Sequence, residues 1–352
     1  MIKKNLFFLT YILISIAFIF ISAETLLSLY FKSVKIPTDN RFKYRYMLYS
    51  EGKLFKRFDN FFKYHPNLNK RSLQFYFKDN QFIKIWDYEF ETNNNGLVQS
   101  FDIFPNKKSI LILGDSFTEG QGGPPWIDKF GESFLGYQMI NGGIIGIGFQ
   151  QFENIGIHLK KKFNVEKTIV LYIGGDLRRG LVLLSDTECL LNNDNCLGNF
   201  SFYSIPKNEN DLNKFLKDIH ELRQKENLSL KLKIKRLIRG TYSYNVLRSS
   251  INTIRLKNNN TIKKNLRSID NLFKENKDKI VFVNIKTAEE IIKEKESYET
   301  KLIKKYLNDR NIPSLQCDMN NDISNFYKID LHPNEKGHQE IFLCVKKIIE
   351  KF

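Results

Sequence analysis

SILILGDSFT, Ser109 to Thr118, is the stretch whose reading decides the fold. Ser109 to Leu113 is a short apolar run that ends at Gly114, the pattern of a strand buried on both faces. Gly114 permits a tight turn, and Ser116 then stands where a helix begins, with its hydroxyl facing a crevice and its backbone N–H able to point at an anion. The same rhythm of strand, glycine-rich loop and helix recurs outward. Gln138 to Ile140 leads into Asn141-Gly142-Gly143. Phe149 to Phe163 carries apolar residues at helical spacing and closes on Lys160, Lys161 and Lys162, which suits a helix C-terminus. Thr168 to Ile173 (TIVLYI) and Ile280 to Ile285 are continuous apolar runs, and Ile312 to Gln316 is a weaker one. Strands separated by helices predict an α/β three-layer sandwich with a mostly parallel sheet.

The N-terminus predicts a compartment. After Lys3 and Lys4, the 18 residues from Leu6 to Ala23 carry no charged side chain and cover ~27 Å as a helix, close to the hydrocarbon core of a bilayer. Residues 1–31 are therefore expected to form one transmembrane signal-anchor helix. The lysine pair favours a cytoplasmic N-terminus, with the rest of a single-pass chain on the periplasmic side of the inner membrane. A cleaved signal peptide ending at Ala23 is the rival, and Ile21 is a poor small residue for that cleavage site. In an oxidising compartment Cys189 and Cys196, which bracket a short polar loop, are spaced for a disulfide, while Cys317 and Cys344 either pair or are simply buried. No cysteine has metal-ligand spacing with a histidine, so no metal is expected.

Beyond the anchor, residues 32–105 are aromatic and basic, with short alternating runs such as Phe75-Tyr76-Phe77, and read as a strand-rich preface. Residues 106–352 read as the α/β domain, interrupted at about 201–277 by a basic, mostly helical insertion. From Asn227 to Ile269 there are eleven Lys or Arg residues and no acidic one, although the alternation of Leu228, Leu230, Leu232 and Ile234 with polar residues equally suits a strand. Such a face suits anionic lipid headgroups or an acidic glycan. The 352-residue chain has 55 basic and 39 acidic side chains, a net charge of +16, which favours an anionic partner. Nucleic acid is not expected, because it conflicts with export. At 42% hydrophobic and 27% charged residues, a largely disordered chain is excluded. The oligomeric state has no signal in the sequence.

In an open parallel sheet, ligands bind beyond the carboxyl ends of the strands. A serine there is a weak nucleophile until a base takes its proton, and histidine oriented by a carboxylate is the usual base at neutral pH. Asp330-Leu331-His332-Pro333-Asn334 supplies both, and in an extended segment Asp330 and His332 would project from one face. The constellation is thus Ser116, Asp330 and His332. The G-x-S-x-G elbow is absent. His338 opens the last helix and reads as structural, and His65, His158 and His220 have no partner in view.

These blocks resemble the SGNH (GDSL-type) hydrolase family. Gly114-Asp115-Ser116-Phe117 looks like its first block, with Ser116 as nucleophile. Asn141-Gly142-Gly143 through Gly146 resembles the second, whose glycine N–H joins that of the serine in the oxyanion hole, and Gly143 is the best match. Ile173-Gly174-Gly175-Asp176 occupies the place of the third, where the family's asparagine is replaced by Gly175. Asp330 to Asn334 with Gly337-His338 resembles the last, with His332 as base. The family's orienting acid commonly lies three residues before this histidine, where Ile329 stands, so Asp330 takes the role, with Asp176 and Asp322 as alternatives. Asp115, Asn141, Gly175, Asp176, Arg178 and Arg179 are the further candidates for substrate or oxyanion contacts. The resemblance covers residues 106–200 and 278–352 and implies an SGNH-hydrolase, flavodoxin-like fold. It implies a serine ester hydrolase or O-acyl (acetyl) transferase without cofactor, acting on acylated envelope glycans or lipids. The contrasting expectation is a non-catalytic envelope protein of the same fold that binds an anionic polysaccharide or assists its assembly.

Overall fold

Apolar runs that have no polar face can only be buried between layers, and the computed structural model places them so. It describes residues 2–33, 45–50, 54–78, 81–181, 201–225 and 259–351, with residues 234, 238, 241–244 and 246–247 between the last two segments. Cys189 and Cys196 lie outside the described residues. The chain divides into two units: residues 1–45, 77–81 and 216–258, and residues 46–76, 82–215 and 259–352.

In the first unit, helix α1 (Ile2–Ser33) contains a 21-residue apolar stretch, Thr10–Tyr30. At ~31 Å it is long enough to cross a membrane, and a signal sequence meets the same criterion. Glu24 accepts hydrogen bonds from the Tyr242 N–H (2.5 Å), the Ser243 N–H (2.9 Å) and the Ser243 hydroxyl (2.8 Å). A carboxylate is stabilised there by the unpaired N–H groups that open a helical turn.

The second unit begins with strands β1 (Arg45–Ser50), β2 (Phe55–Arg57), β3 (Phe62–Tyr64), β4 (Asn69–Lys78) and β5 (Gln81–Glu91). The last two run into the first unit at their tips. Together with β9 (Ser201–Tyr203) they make a sheet of order β5-β4-β1-β9, while β2 and β3 pair antiparallel. Strand β4 obeys period two. Leu73 and Phe75 point to one face, where Tyr46 stacks on Phe75 at 4.6 Å, and Ser72, Gln74 and Tyr76 point to the other.

The central sheet contains β6 (Ser109–Gly114), β7 (Gln138–Gly143), β8 (Val165–Tyr172), β10 (Ile280–Ile285) and β11 (Ser314–Cys317), all parallel, in the order β11-β10-β8-β6-β7. Among the described residues the further helices include α2 (Ser116–Glu119), α3 (Phe149–Lys162), α4 (Glu209–Lys225), whose residues from 216 on belong to the first unit, α5 (Asn260–Asn276), α6 (Ala288–Ile292), α7 (Tyr298–Asn308) and α8 (Glu335–Lys351). On one face Ile110, Ile112, Ile169, Leu171, Val281 and Val283 bury against Ile341, Val345 and Ile349 of α8. On the other, α3 and α5 cover Leu113, and a side chain at Gly156 would meet Leu113 at 3.2 Å. The expected three-layer α/β architecture is present. Counted along the chain, the sheet order is 2-1-3-4-5, so the connections part between β6 and β8, and in an open parallel sheet that is where a crevice forms at the carboxyl ends of the strands.

Two boundaries differ from the sequence reading. Strand β7 runs on through Asn141-Gly142-Gly143, because Leu113 pairs with Gly142 and Gly114 with Gly143. The second glycine-rich loop therefore starts only at Ile144. The 201–277 stretch is divided rather than inserted as one block: β9 joins the N-terminal sheet, and α5 is a core helix with Ile269 and Leu272 buried.

Cys317, at the end of β11, is disulfide-bonded to Cys344 of α8, 27 positions away, with Cα atoms 6.0 Å apart. This bond brackets the segment that carries Asp330 and His332. Replacing both cysteines by serine is expected to lower stability by about 2–4 kcal/mol, read as a lower denaturant midpoint at unchanged m-value.

Candidate active site

Ser116 is the first residue of α2, one turn long, and Asp115 caps it by accepting the Phe117 N–H at 3.0 Å. Gly114 cannot carry a side chain: a Cβ would lie 1.9 Å from Thr118 Oγ1 and 2.7 Å from the Leu171 carbonyl. This close approach sets Ser116 at the carboxyl end of β6, where the crevice opens.

Ser116 Oγ lies 3.1 Å from His332 Nε2, and His332 Nδ1 is hydrogen-bonded to Asp330 Oδ1. The structure therefore brings together the three side chains that the sequence separates by more than 200 residues. They do not meet through an extended segment, however. Leu331 adopts φ +66° between them, and the turn is closed by the Leu331 N–H on the Tyr327 carbonyl (3.0 Å) and the Tyr327 N–H on the His332 carbonyl (2.9 Å). A left-handed leucine costs about 1–2 kcal/mol, which the packing of Leu331 against the buried core offsets. Asp176 and Asp322 are bonded elsewhere, to Arg179 and to Ser324.

The second oxygen of Asp330 was beyond sequence reasoning. Oδ2 accepts from Gln74 Nε2 at 2.6 Å and from the Tyr76 hydroxyl at 3.0 Å, both on the inner face of β4 and both essentially buried. Trp86 of β5 meets the His332 ring edge-on at 5.9 Å, and Phe117 flanks it at 5.5 Å. The signal available was the alternation of β4, which identifies Gln74 and Tyr76 as one face without saying what that face meets.

Several candidate contacts are committed to the scaffold. The Gly143 N–H donates to Asn141 Oδ1 (3.0 Å) inside β7, and a Cβ at Gly143 would sit 2.4 Å from the Glu119 nitrogen. Gly143 is thus a close-packing position and not an oxyanion donor. Asn141 is fully buried and donates to the Val98 carbonyl at 2.8 Å. In the loop that follows, Gly146 is exposed, at φ +76°, and its N–H has no acceptor among the described residues, as is also true of the Ser116 N–H. Arg179 Nη1 bonds Asp115 (2.7 Å), Asp176 (2.5 Å) and the Ile147 carbonyl (3.0 Å). Burial and the Asp115 charge push the Asp176 carboxyl well above the usual range, and Arg179 opposes them. Arg178 pairs with Glu299 at 2.9 Å. A side chain at Gly175 would meet nothing closer than 3.7 Å. His338 is buried at the start of α8, where burial and then the neighbouring His332 lower its pKa to about 3, so it is neutral. His158 packs on Phe58 and Phe61, and His220 on Phe77.

Glu119, at the end of α2, accepts from the Tyr64 hydroxyl (2.9 Å) and from the Ile145 N–H (2.6 Å). It thereby ties the second loop to the serine turn. A serine hydroxyl bonded to an imidazole, itself held by a carboxylate and flanked by unengaged backbone N–H groups, can attack an acyl carbon and transfer the released proton. Among the described residues no group of histidine, cysteine and carboxylate side chains could hold a metal ion.

No protein-family model and no curated protein matches the chain. Solved structures similar to it include a GDSL-like lipase from Bacteroides thetaiotaomicron, at 14% identity over 70% of this chain and 88% of that one, with a TM-score of 0.33. A lipase/acylhydrolase from Enterococcus faecalis matches at 11% identity over 70% and 96%, with a TM-score of 0.35. A family 3 carbohydrate esterase from Clostridium thermocellum matches at 14% identity over 69% and 94%, with a TM-score of 0.33.

Burial raises the pKa of Glu119 to about 8, against 4.5 for an ordinary glutamate. The folded state therefore binds more protons than the unfolded one between these values, and this group makes stability fall as pH rises across that window. Glu119→Gln preserves the neutral shape and removes the titration. Denaturant unfolding at pH 5, 6.5 and 8 should show its stability–pH slope lying above that of the unsubstituted protein by about 1.4 kcal/mol per pH unit at most.

Proposed function

We propose that this protein is a serine ester hydrolase or acyl transferase of the SGNH type. The observation that carries the reading is the 3.1 Å contact of Ser116 Oγ with His332 Nε2, backed by Asp330 on the far ring nitrogen. Ser116 Oγ attacks the ester carbonyl carbon as His332 Nε2 takes its proton, and Asp330 stabilises the imidazolium. The N–H groups of Ser116 and Gly146 receive the oxyanion. His332 then returns the proton to the departing alcohol, leaving an acyl group on Ser116. Water, or the hydroxyl of a second substrate, removes it by the reverse proton path. In this reading the apolar helix α1 anchors the chain in the inner membrane, the catalytic unit faces the periplasm, and acylated envelope glycans or lipids are the substrates.

Ser116→Ala should abolish both hydrolysis of p-nitrophenyl acetate and labelling by a fluorophosphonate. A folded protein that is never labelled at Ser116 would instead favour the non-catalytic, polysaccharide-binding alternative. Gly175 leaves room for the side-chain donor it lacks, and a missing oxyanion donor is worth about 10²–10³ in kcat. Gly175→Asn is therefore expected to raise kcat at least tenfold with little change in KM. Reporter fusions after residue 31 should be active only on the periplasmic side.

A further inference from the structure

We infer that Gln74 and Tyr76 are positioning residues for the acid of this site, so that the N-terminal sheet is a working part of the catalytic unit rather than an appendage to it. The inference rests on the reading of Ser116 as nucleophile given above. The Asp330 side chain is 1% exposed, so both of its oxygens need donors within the protein. Oδ1 faces His332 Nδ1, and Oδ2 accepts from two side chains of β4. Positions 74 and 76 of a strand project from the same face, about 7 Å apart, and they converge on one oxygen. Gln74 Nε2 also lies 3.4 Å from the Tyr76 hydroxyl, which holds the pair in register.

The physical need is local. Asp330 sits only two residues before its histidine, on a turn whose middle residue is left-handed, and one contact through Oδ1 does not by itself fix rotation about the last side-chain bond. Engaging Oδ2 from outside the turn removes that freedom and leaves Oδ1 aimed at the ring. The neighbouring strand acts on the partner, because Trp86 lies edge-on to His332 and donates its own N–H to Ser72 of β4 at 3.3 Å. Two adjacent strands of the accessory sheet thus set the acid and the base.

The test is a set of double-mutant cycles on the full-length chain in detergent, with p-nitrophenyl acetate as substrate. Tyr76→Phe and Gln74→Leu should each lower kcat about tenfold, the loss of one hydrogen bond to a charged group, with KM changed less than about twofold. Asp330→Asn should itself lower kcat by about 10³–10⁴. In that background neither substitution should cause a further loss, because the group it positions is already gone. Full, additive losses in the Asp330→Asn background, or an unchanged kcat in the Gln74→Leu/Tyr76→Phe double variant, would overturn the inference and leave the function standing. Hydrolysis that survives Ser116→Ala would overturn both. Tyr76→Phe keeps the ring and its packing, so its cycle with Asp330→Asn decides the matter if Gln74→Leu does not fold.

Discussion

One guanidinium holds the crevice together. Arg179 reaches Asp115 in the turn after β6, the Ile147 carbonyl in the loop after β7, and Asp176 in the turn after β8. Asp115 and Asp176 are both about 1% exposed or less. Buried carboxyl groups are tolerated only when paired and hydrogen-bonded, and both of these find a partner in Arg179, which ties the three loops together. Asn265 of α5 extends the tie by donating to the Leu177 and Arg179 carbonyls, each at 2.9 Å. The orientation of Ser116 follows, since Asp115 caps the turn that presents it with one oxygen and meets Arg179 with the other.

The opposite wall is built on a different principle. The segment bearing His332 is a turn with a left-handed residue rather than a regular element; β4 and β5 brace it, and the Cys317–Cys344 bond brackets it in sequence. A sheet end carries Ser116, and a braced turn carries Asp330 and His332. Both halves lean on the accessory strands. Tyr64 of β3 bonds Glu119 beneath the second loop, as Gln74 and Tyr76 of β4 bond Asp330.

The surplus of basic residues does not gather at the chemistry. Among the described residues, the carboxyl groups of Asp115, Glu119, Asp176 and Asp330 and the guanidinium of Arg179 lie near Ser116. Both arginines that could have received an anionic substrate are paired with carboxylates.

The fold was legible because its signals are local. Three continuous apolar runs mark β6, β8 and β10, and Gly114-Asp115-Ser116 follows the first of them directly. What misled was equally local. Asn141-Gly142-Gly143 has loop composition yet stays in the ladder, because β6 offers it partners as far as Gly114, and a paired N–H cannot serve an oxyanion. Residues 260–276 look like solvated basic helix until Ile269 and Leu272 are seen against the core.

The amino-acid order by itself determined the class of the sheet, since strand burial depends on near neighbours, and it singled out Ser116, Asp330 and His332, whose side chains the structure brings into contact. Only the tertiary structure decided that Leu331 turns left-handed, that Gly143 packs while Gly146 is exposed, and that Gln74 and Tyr76 meet Asp330. Those outcomes depend on hydrogen-bond partners up to 256 residues away, and no local pattern carries that distance.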